Sequence, residues 1–250
     1  MPNHIKNIIS FKGNQTDIDE LFCFVKSKDD DEGKEYFDFN KIIPMPDILA
    51  DIEESTEAEH GAALLLLQSE MAPYACGNLY DFEIERIREA TGLPSDTPIR
   101  KIARAYLNEN PETANLGRRR LVAINETGYA SWYPWSIESW GTKWNSYDND
   151  FSKLNTVNFK TAWSMPEPIM KKLSELFPKV EFEWKWADED KGNNCGIWTF
   201  ENGELFCDKL ENGSNEAYCL YIDCWGKSKC LYQEDGVWKH HDCDTCTGCD

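Results

Sequence analysis

The sequence predicts an α+β fold in which two strand–helix–strand passes share one antiparallel sheet, with a helical stretch inserted between them. Three observations predict it. Short β-branched or alternating runs begin near residues 5, 36, 156 and 180. An apolar stripe of helical period follows the first and the third of these. Between the passes, from residue 47, the chain turns to Glu, Ala, Leu, Arg and Ile in helix-sized blocks.

Taken in order, Ile5-Lys6-Asn7-Ile8-Ile9-Ser10-Phe11 is β-branched and ends at Gly13-Asn14, a strand and a turn. Thr16 is placed to cap the next segment, where Ile18, Leu21, Phe22 and Val25 repeat at i, i+3, i+4 and i+7. Tyr36 to Ile43 alternates and is stopped by Pro44-Met45-Pro46, which makes it the second strand. Blocks at Ala62 to Glu70, Asp81 to Thr91 and Pro98 to Asn108, punctuated by Gly92, Pro94 and Pro111, read as three or four inserted helices.

Thr156 to Trp163 is a strand with Val157, Phe159 and Thr161 on one face. Ser164 and Glu167 form an S-x-x-E capping box before a helix carrying Ile169, Leu173 and Leu176, which Pro178 ends. Val180-Glu181-Phe182-Glu183-Trp184-Lys185-Trp186 alternates without a fault. A one-residue slip would bury Glu181, Glu183 and Lys185, so its register is fixed. Ile197 to Phe200 and Glu204 to Cys207, joined at Asn202-Gly203, have the sequence of a type I′ hairpin. Asn212-Gly213 suggests a further hairpin leading into Ala217 to Cys224. Two β-α-β units describe a ferredoxin-like βαββαβ sheet, with a helical insertion after the second strand and extra C-terminal hairpin strands. The implied organisation is a sandwich over residues 1–46 and 129–210, an inserted helical subdomain over 47–128, and a Cys-rich extension over 211–250.

Four segments carry a resemblance. They are Met-Pro-Asn-His with Ile-Ile-Ser-Phe-Lys-Gly, Phe37-Asp38-Phe39 with Ile42-Ile43-Pro44-Met45-Pro46, Trp140-Gly141-Thr142-Lys143-Trp144-Asn145, and Phe159-Lys160-Thr161-Ala162-Trp163-Ser164-Met165-Pro166. In order and spacing, across about residues 1–200, they resemble the YubB-type ferredoxin-like proteins of phages and plasmids. Met165 stands where that pattern has a first proline, and the Cys-rich end lies outside it. The resemblance implies a mobile-element protein and brings with it no catalytic residue.

Composition bounds the function. With 26 Lys and Arg against 45 Asp and Glu, the 250-residue chain carries a net charge of −19, which opposes direct binding of duplex nucleic acid. The same field attracts a partner with a basic surface. Hydrophobic residues at 41% exclude global disorder, and the longest apolar run, Ala62 to Leu67, is too short to span a membrane. No secretory h-region follows Met1, which places the protein in the cytoplasm of a host bacterium and its ten cysteines in the reduced state. Cys23 and Cys76 read as core residues. Cys243, Cys246 and Cys249 have C-x2-C-x2-C spacing and, with His240, have the donors for a structural zinc, against which stands a loose reduced tail. Arg118-Arg119-Arg120 is short enough to be closing an internal ion pair, and His60 suits an exposed helix.

No nucleotide, metalloprotease or EF-hand motif occurs, and no catalytic residue is nominated. A Pro2 secondary amine is the one weak enzymatic idea. The expected function is binding to, and inhibition of, a host protein, with a nucleic-acid-handling CRISPR-like defence complex as the natural target. Its partner-binding residues are Trp140, Lys143, Trp144, Asp188, Glu189 and Asp190. For Trp140 a competing structural role is open, a corner that covers the sheet with Gly141 allowing close approach. The alternative function is a single-stranded nucleic-acid module that stacks bases on Phe182, Trp184 and Trp186.

Overall fold

The computed structural model describes residues 3–29, 33–52, 54–68, 79–201 and 204–241. They form two compact units, residues 1–44 with 136–250, and residues 45–135.

In chain order the first unit opens with strand β1 (His4–Lys12), helix α1 (Gln15–Val25), the short strands β2 (Lys26–Lys28) and β3 (Glu35–Phe37), and the one-turn helix α2 (Phe39–Ile42). The helical unit holds α3 (Asp47–Ala50), α4 (Thr56–Gln68), α5 (Asp81–Thr91), α6 (Ile99–Glu109) and α7 (Pro111–Thr127). The chain returns through α8 (Trp132–Ser139). It continues as β4 (Tyr147–Asp150), β5 (Thr156–Ala162), α9 (Glu167–Leu176), β6 (Glu181–Asp188), β7 (Gly196–Glu201), β8 (Glu204–Lys209), α10 (Asn215–Trp225), β9 (Leu231–Glu234) and β10 (Val237–His240).

The main sheet has six strands in the order β4-β5-β1-β6-β7-β8, with antiparallel neighbours throughout. Its first four strands have the ferredoxin-like order, and β7 and β8 extend one edge. Ile5 pairs with Thr161 and Asp188, and Ile9 with Val157 and Trp184, so alternate residues of three strands share a face. That face is the core: Ile5, Ile9, Val157 and Trp184 are fully enclosed, with Phe159, Phe182 and Trp186 nearly so. Phe22 of α1 meets Phe11 edge-on, and Lys171 of α9 reaches the ring of Trp198. Among the described residues the core contains one buried side-chain amide. Asn7 accepts from Trp184 Nε1 at 3.0 Å and donates to Thr161 Oγ1 at 3.0 Å, which satisfies polar groups that burial would otherwise penalise.

The opposite face is covered by α10. Ala187, Cys195, Ala217, Leu220 and Cys224 form a second cluster there, against which Ile8, Ile197 and Trp225 pack. The Trp225 indole donates to Ala187 O at 2.9 Å and lies under two ammonium groups, Lys6 at 5.7 Å and Lys160 at 5.5 Å from the ring centroid.

The helical unit is held by close backbone approach. A Cβ on Gly61 of α4 would lie 2.1 Å from Thr113 O, and one on Gly117 of α7 would lie 2.3 Å from the Gly61 carbonyl carbon. Only glycine at both positions lets the two helices touch. Arg120, 6% exposed, answers Glu59 at 3.2 Å and Glu54 at 3.5 Å, so the basic triplet does close an internal ion pair. Ser131 hydroxyl donates to Glu54, and Thr113 Oγ1 donates to Glu57.

Several expectations need correction. Tyr36 to Ile43 is not the second sheet strand: two of its residues, Tyr36 and Phe37, pair with β2 in a separate ladder, and Tyr147–Asp150 takes that place in the sheet. The alternation breaks at Asp38, whose side chain accepts from Asn40 N and so starts α2. Ala217 to Cys224 is helical because Ser214 caps it and Ala217, Leu220, Tyr221 and Cys224 share one stripe. Asn14, not Thr16, caps α1. The Ser164 hydroxyl donates to Gly141 O and caps nothing.

Cys23 is exposed. His60 is half-buried, with its Nε2 2.6 Å from Glu83 Oε1. Cys195, Cys207, Cys219 and Cys224 are free thiols as expected, but Cys230 is disulfide-bonded, which departs from a fully reduced set. Met1, Pro2, Cys76, the Asn202-Gly203 turn, Cys243, Cys246 and Cys249 lie outside the described residues.

Candidate functional site

The segment Trp140 to Asn145 is first a structural corner. Trp140 is 4% exposed and its Nε1 donates to Ile43 O at 2.9 Å. Gly141 has φ +78°, and a Cβ there would come within 2.7 Å of Pro168 Cδ. Thr142 bonds Ala162 twice, accepting from its N–H at 3.1 Å and donating to its carbonyl at 2.8 Å. Asn145 accepts from Phe39 N and donates to Asp38 Oδ1, fixing α2 to the corner. Trp140 is therefore enclosed, and its expected place on a binding surface is corrected.

Lys143 and Trp144 remain outside. The Lys143 ammonium lies 4.8 Å from the Trp144 ring centroid and 4.9 Å from that of Trp163, so two indoles flank one cation. Trp144 is 38% exposed and Trp163 is 41% exposed, a costly arrangement for large apolar rings unless something covers them. Trp163 also has φ +68°, a left-handed conformation that is a genuine outlier for a bulky side chain. Strand alternation assigns Trp163 to the core face with Val157, Phe159 and Thr161. The left-handed turn at the end of β5 overrides that assignment and presents the ring at the surface. Sequence reasoning missed Trp163 for this reason, although the Thr-Ala-Trp-Ser segment was itself distinctive.

The patch continues inward from Trp144. Its ring meets Tyr147 edge-on at 6.3 Å, and Tyr147 meets His4 at 5.7 Å. Tyr147 hydroxyl donates to Thr161 O and lies 2.6 Å from His4 Nδ1. Burial, with Asp148 and Glu189 nearby, pushes the Tyr147 hydroxyl up to about 12, so it stays protonated.

The acidic turn lies at the same end of the sheet. Asn3 O accepts from Trp163 N at 2.8 Å, while Asn3 Nδ2 donates to Asp188 Oδ1 at 3.3 Å, tying the two expected parts of the site together. Asp188 is 6% exposed and accepts further bonds from Asp190 N and Asn194 Nδ2. Its burial raises the carboxyl above the usual carboxylate range, against the effect of those three donors. Asp188 is thus a positioning group, while Glu189 is half-buried and Asp190 is exposed.

The expected base-stacking platform is not formed. Phe182, Trp184 and Trp186 are 2%, 0% and 1% exposed, and the other sheet face carries α10. His240, the described member of the proposed zinc set, sits in β10 opposite Leu231. Among the described residues no group of three or more His, Cys, Asp or Glu side chains is arranged to hold a metal ion, and no helix is long and apolar enough to cross a membrane.

Residues 139–244 match the family model of the ferredoxin-like domain in Api92-like protein. This interval holds the corner and the acidic turn. A crystal structure of protein Api92 from Yersinia pseudotuberculosis is similar at 12% identity over 86% of this chain and 99% of that one, with a TM-score of 0.38. No curated protein matches the sequence.

Proposed function

We propose that the protein is a binding protein that engages a partner protein of basic surface through the sheet end bearing Lys143, Trp144, Trp163, Glu189 and Asp190. The observation that carries this reading is the Lys143 ammonium between two exposed indoles, one of them on strained backbone. Exposed aromatic rings beside fixed charges are the usual anchors of protein interfaces. The net charge of −19 supplies long-range attraction to a basic partner.

The finer reading rests on the YubB-type resemblance: a phage- or plasmid-encoded protein, acting in the host cytoplasm, that blocks a nucleic-acid-handling defence complex by presenting acid in place of phosphate. Affinity purification from bacterial lysate at low ionic strength tests the binding function. The full chain is expected to retain a stoichiometric partner that elutes with salt and is lost with Trp163→Ala or Trp144→Ala. Retention indifferent to both substitutions and to salt would refute the proposed surface. Nuclease activity of a purified CRISPR effector, unchanged at saturating protein, would remove the finer reading and leave the coarser one standing.

A further inference from the structure

The two edges of the six-stranded sheet are not alike. At one, β4 is four residues long, its pairing with β5 slips between Tyr147 and Asp150, and Asp148 has φ +51°. Phe37 of β3 covers this edge, donating from its N–H to Asn149 Oδ1 and accepting from Ser146 Oγ. Shortness, irregular pairing and a cover are the usual means of closing an edge. At the other, β8 pairs with β7 over all six of its residues, with no register shift and no proline. Every residue of β8 is exposed except half-buried Leu205, and Phe206 is 57% exposed.

Alternate residues of an antiparallel strand turn both main-chain groups to the same neighbour. In β8 the even-numbered residues serve β7. Leu210 N, next in that series, donates to Cys195 O at 3.0 Å, and a Cβ on Gly196 would lie 2.7 Å from Asp208 O. The N–H and C=O groups of Leu205, Cys207 and Lys209 therefore point away from the sheet, and no described residue takes them. Charge selects what can. Glu204, Phe206 and Asp208 share one face, with Glu201 opposite Glu204. Two copies of β8 paired about a two-fold axis would put both sets of carboxylates on one face, between chains of net charge −19, which disfavours a dimer. A strand with Lys or Arg on that face meets opposite charge at Glu204 and Asp208 and the Phe206 ring between them. On the other face Leu205 and Cys207, opposite Phe200 and Trp198, suit apolar side chains.

We propose that β8 is a docking edge that receives an extended segment of a basic partner protein as a further antiparallel strand. The segment alternates basic and apolar residues. Its main chain bonds Leu205, Cys207 and Lys209, its cations stand beside Glu204, Phe206 and Asp208, and its apolar side chains stand beside Leu205 and Cys207. The edge shares no residue with the corner or the acidic turn, so it stands or falls independently of the surface around Trp163.

Titration of the isotope-labelled full chain with the end-blocked peptide Lys-Val-Lys-Val-Lys-Val, followed by NMR and hydrogen exchange, tests this. The expected result is saturable binding that slows exchange at the amides of Leu205, Cys207 and Lys209 and leaves those of β4 unchanged. The valines, opposite those residues, supply the peptide's donors. A peptide with each valine N-methylated keeps its charge and should bind roughly tenfold more weakly or worse, as should Glu-Val-Glu-Val-Glu-Val. Cys207→Pro removes the central outward N–H where an edge strand tolerates proline, and should abolish binding. Should that variant fail to fold, the exposed pair Glu204→Gln with Asp208→Asn still decides, and should weaken the lysine peptide by about tenfold. No saturable binding of the lysine peptide, equal binding of its N-methylated form, protection confined to amides outside β8, or no effect of the double substitution overturns the proposal. Slow exchange at the same amides in the free chain, with a dimer in ultracentrifugation, gives the edge to a second copy and overturns it as well.

Discussion

The two compact units solve the same problem, excluding water from a core, by opposite means. The sheet unit fills its interior with large rings: Trp184, Trp186 and Trp198 touch one another with centroids 5.3 to 6.4 Å apart, and Phe37, Phe39 and Phe159 form a second aromatic group. The helical unit removes side chains where α4 and α7 meet, so that Gly61 and Gly117 bring backbones together, and then adds buried ionic contacts around Arg120. A core of rings is strongly patterned along the chain. A core built on two glycines has little pattern, and its fit depends on each missing Cβ.

The largest expected effect sharpens that contrast. Gly117→Ala sets a Cβ 2.3 Å from the Gly61 carbonyl carbon and 2.5 Å from Ala62 N, both backbone atoms unable to swing aside. The helices must separate, at a cost of about 3 kcal/mol or more. Hydrogen exchange should rise across α4 and α7 while β1, β5 and β6 keep their protection. Equal loss of protection in the sheet would show that the two units unfold as one, and the comparison would fail.

Next in size is the buried amide of the sheet. Asn7→Ala leaves the enclosed indole N–H of Trp184 without its acceptor and the Thr161 hydroxyl without its donor. A loss of about 2 kcal/mol in denaturant unfolding is expected, with Trp emission reporting the sheet directly. No change would mean that Asn7 is incidental and that ring packing alone defines this core.

These two sites also mark what was legible from residues alone. The strands around Ile5, Phe159 and Trp184 were legible because each alternates, and any slip would bury charge. The paired glycines were not, since a helical glycine gives no sign of what stands opposite. Neither was Asn7, whose partners are 154 and 177 residues away. Tyr36 to Ile43 misled because Phe37 and Phe39 are both buried two apart, as in a strand, yet Asp38 between them starts a helical turn. At the candidate site, Lys143 and Trp144 were legible as a distinctive segment. Trp163 was hidden by its own strand period until its left-handed turn was seen.

A smaller effect concerns the second sheet face. Trp225→Ala removes the indole bond to Ala187 O and the ring shared by Lys6 and Lys160. About 1 to 2 kcal/mol should be lost, with exchange rising first in α10. If α10 keeps its protection, the cluster of Ala217, Leu220 and Cys224 suffices to hold it there.

The smallest expected effect separates the units by the sign of their response to acid. In the helical unit burial opposes ionisation of Glu83, but the Tyr80 N–H, His60 and Arg86 outweigh it and hold the carboxyl below its ordinary value. A depressed folded pKa gives stability that is present above the ordinary carboxylate range and lost as pH falls through the folded value. In the sheet unit burial dominates at Asp188 and holds it above its ordinary value. Its contribution has the opposite sign, complete below the ordinary range and lost as pH rises through the folded value. Glu83→Gln should therefore cost the helical unit less near pH 3 than near pH 7. For Asp188→Asn, the change in sheet stability relative to the parent should become more favourable as pH rises from 3 to 7. Unfolding of each variant against the parent, followed by hydrogen exchange in α5 for the first and in β6 for the second, reads the two slopes separately. Slopes of the same sign would mean that the bonds from Asn3, Asn194 and the Asp190 N–H overcome burial at Asp188. The acidic turn would then be held by a fixed carboxylate in place of a proton-sensitive one.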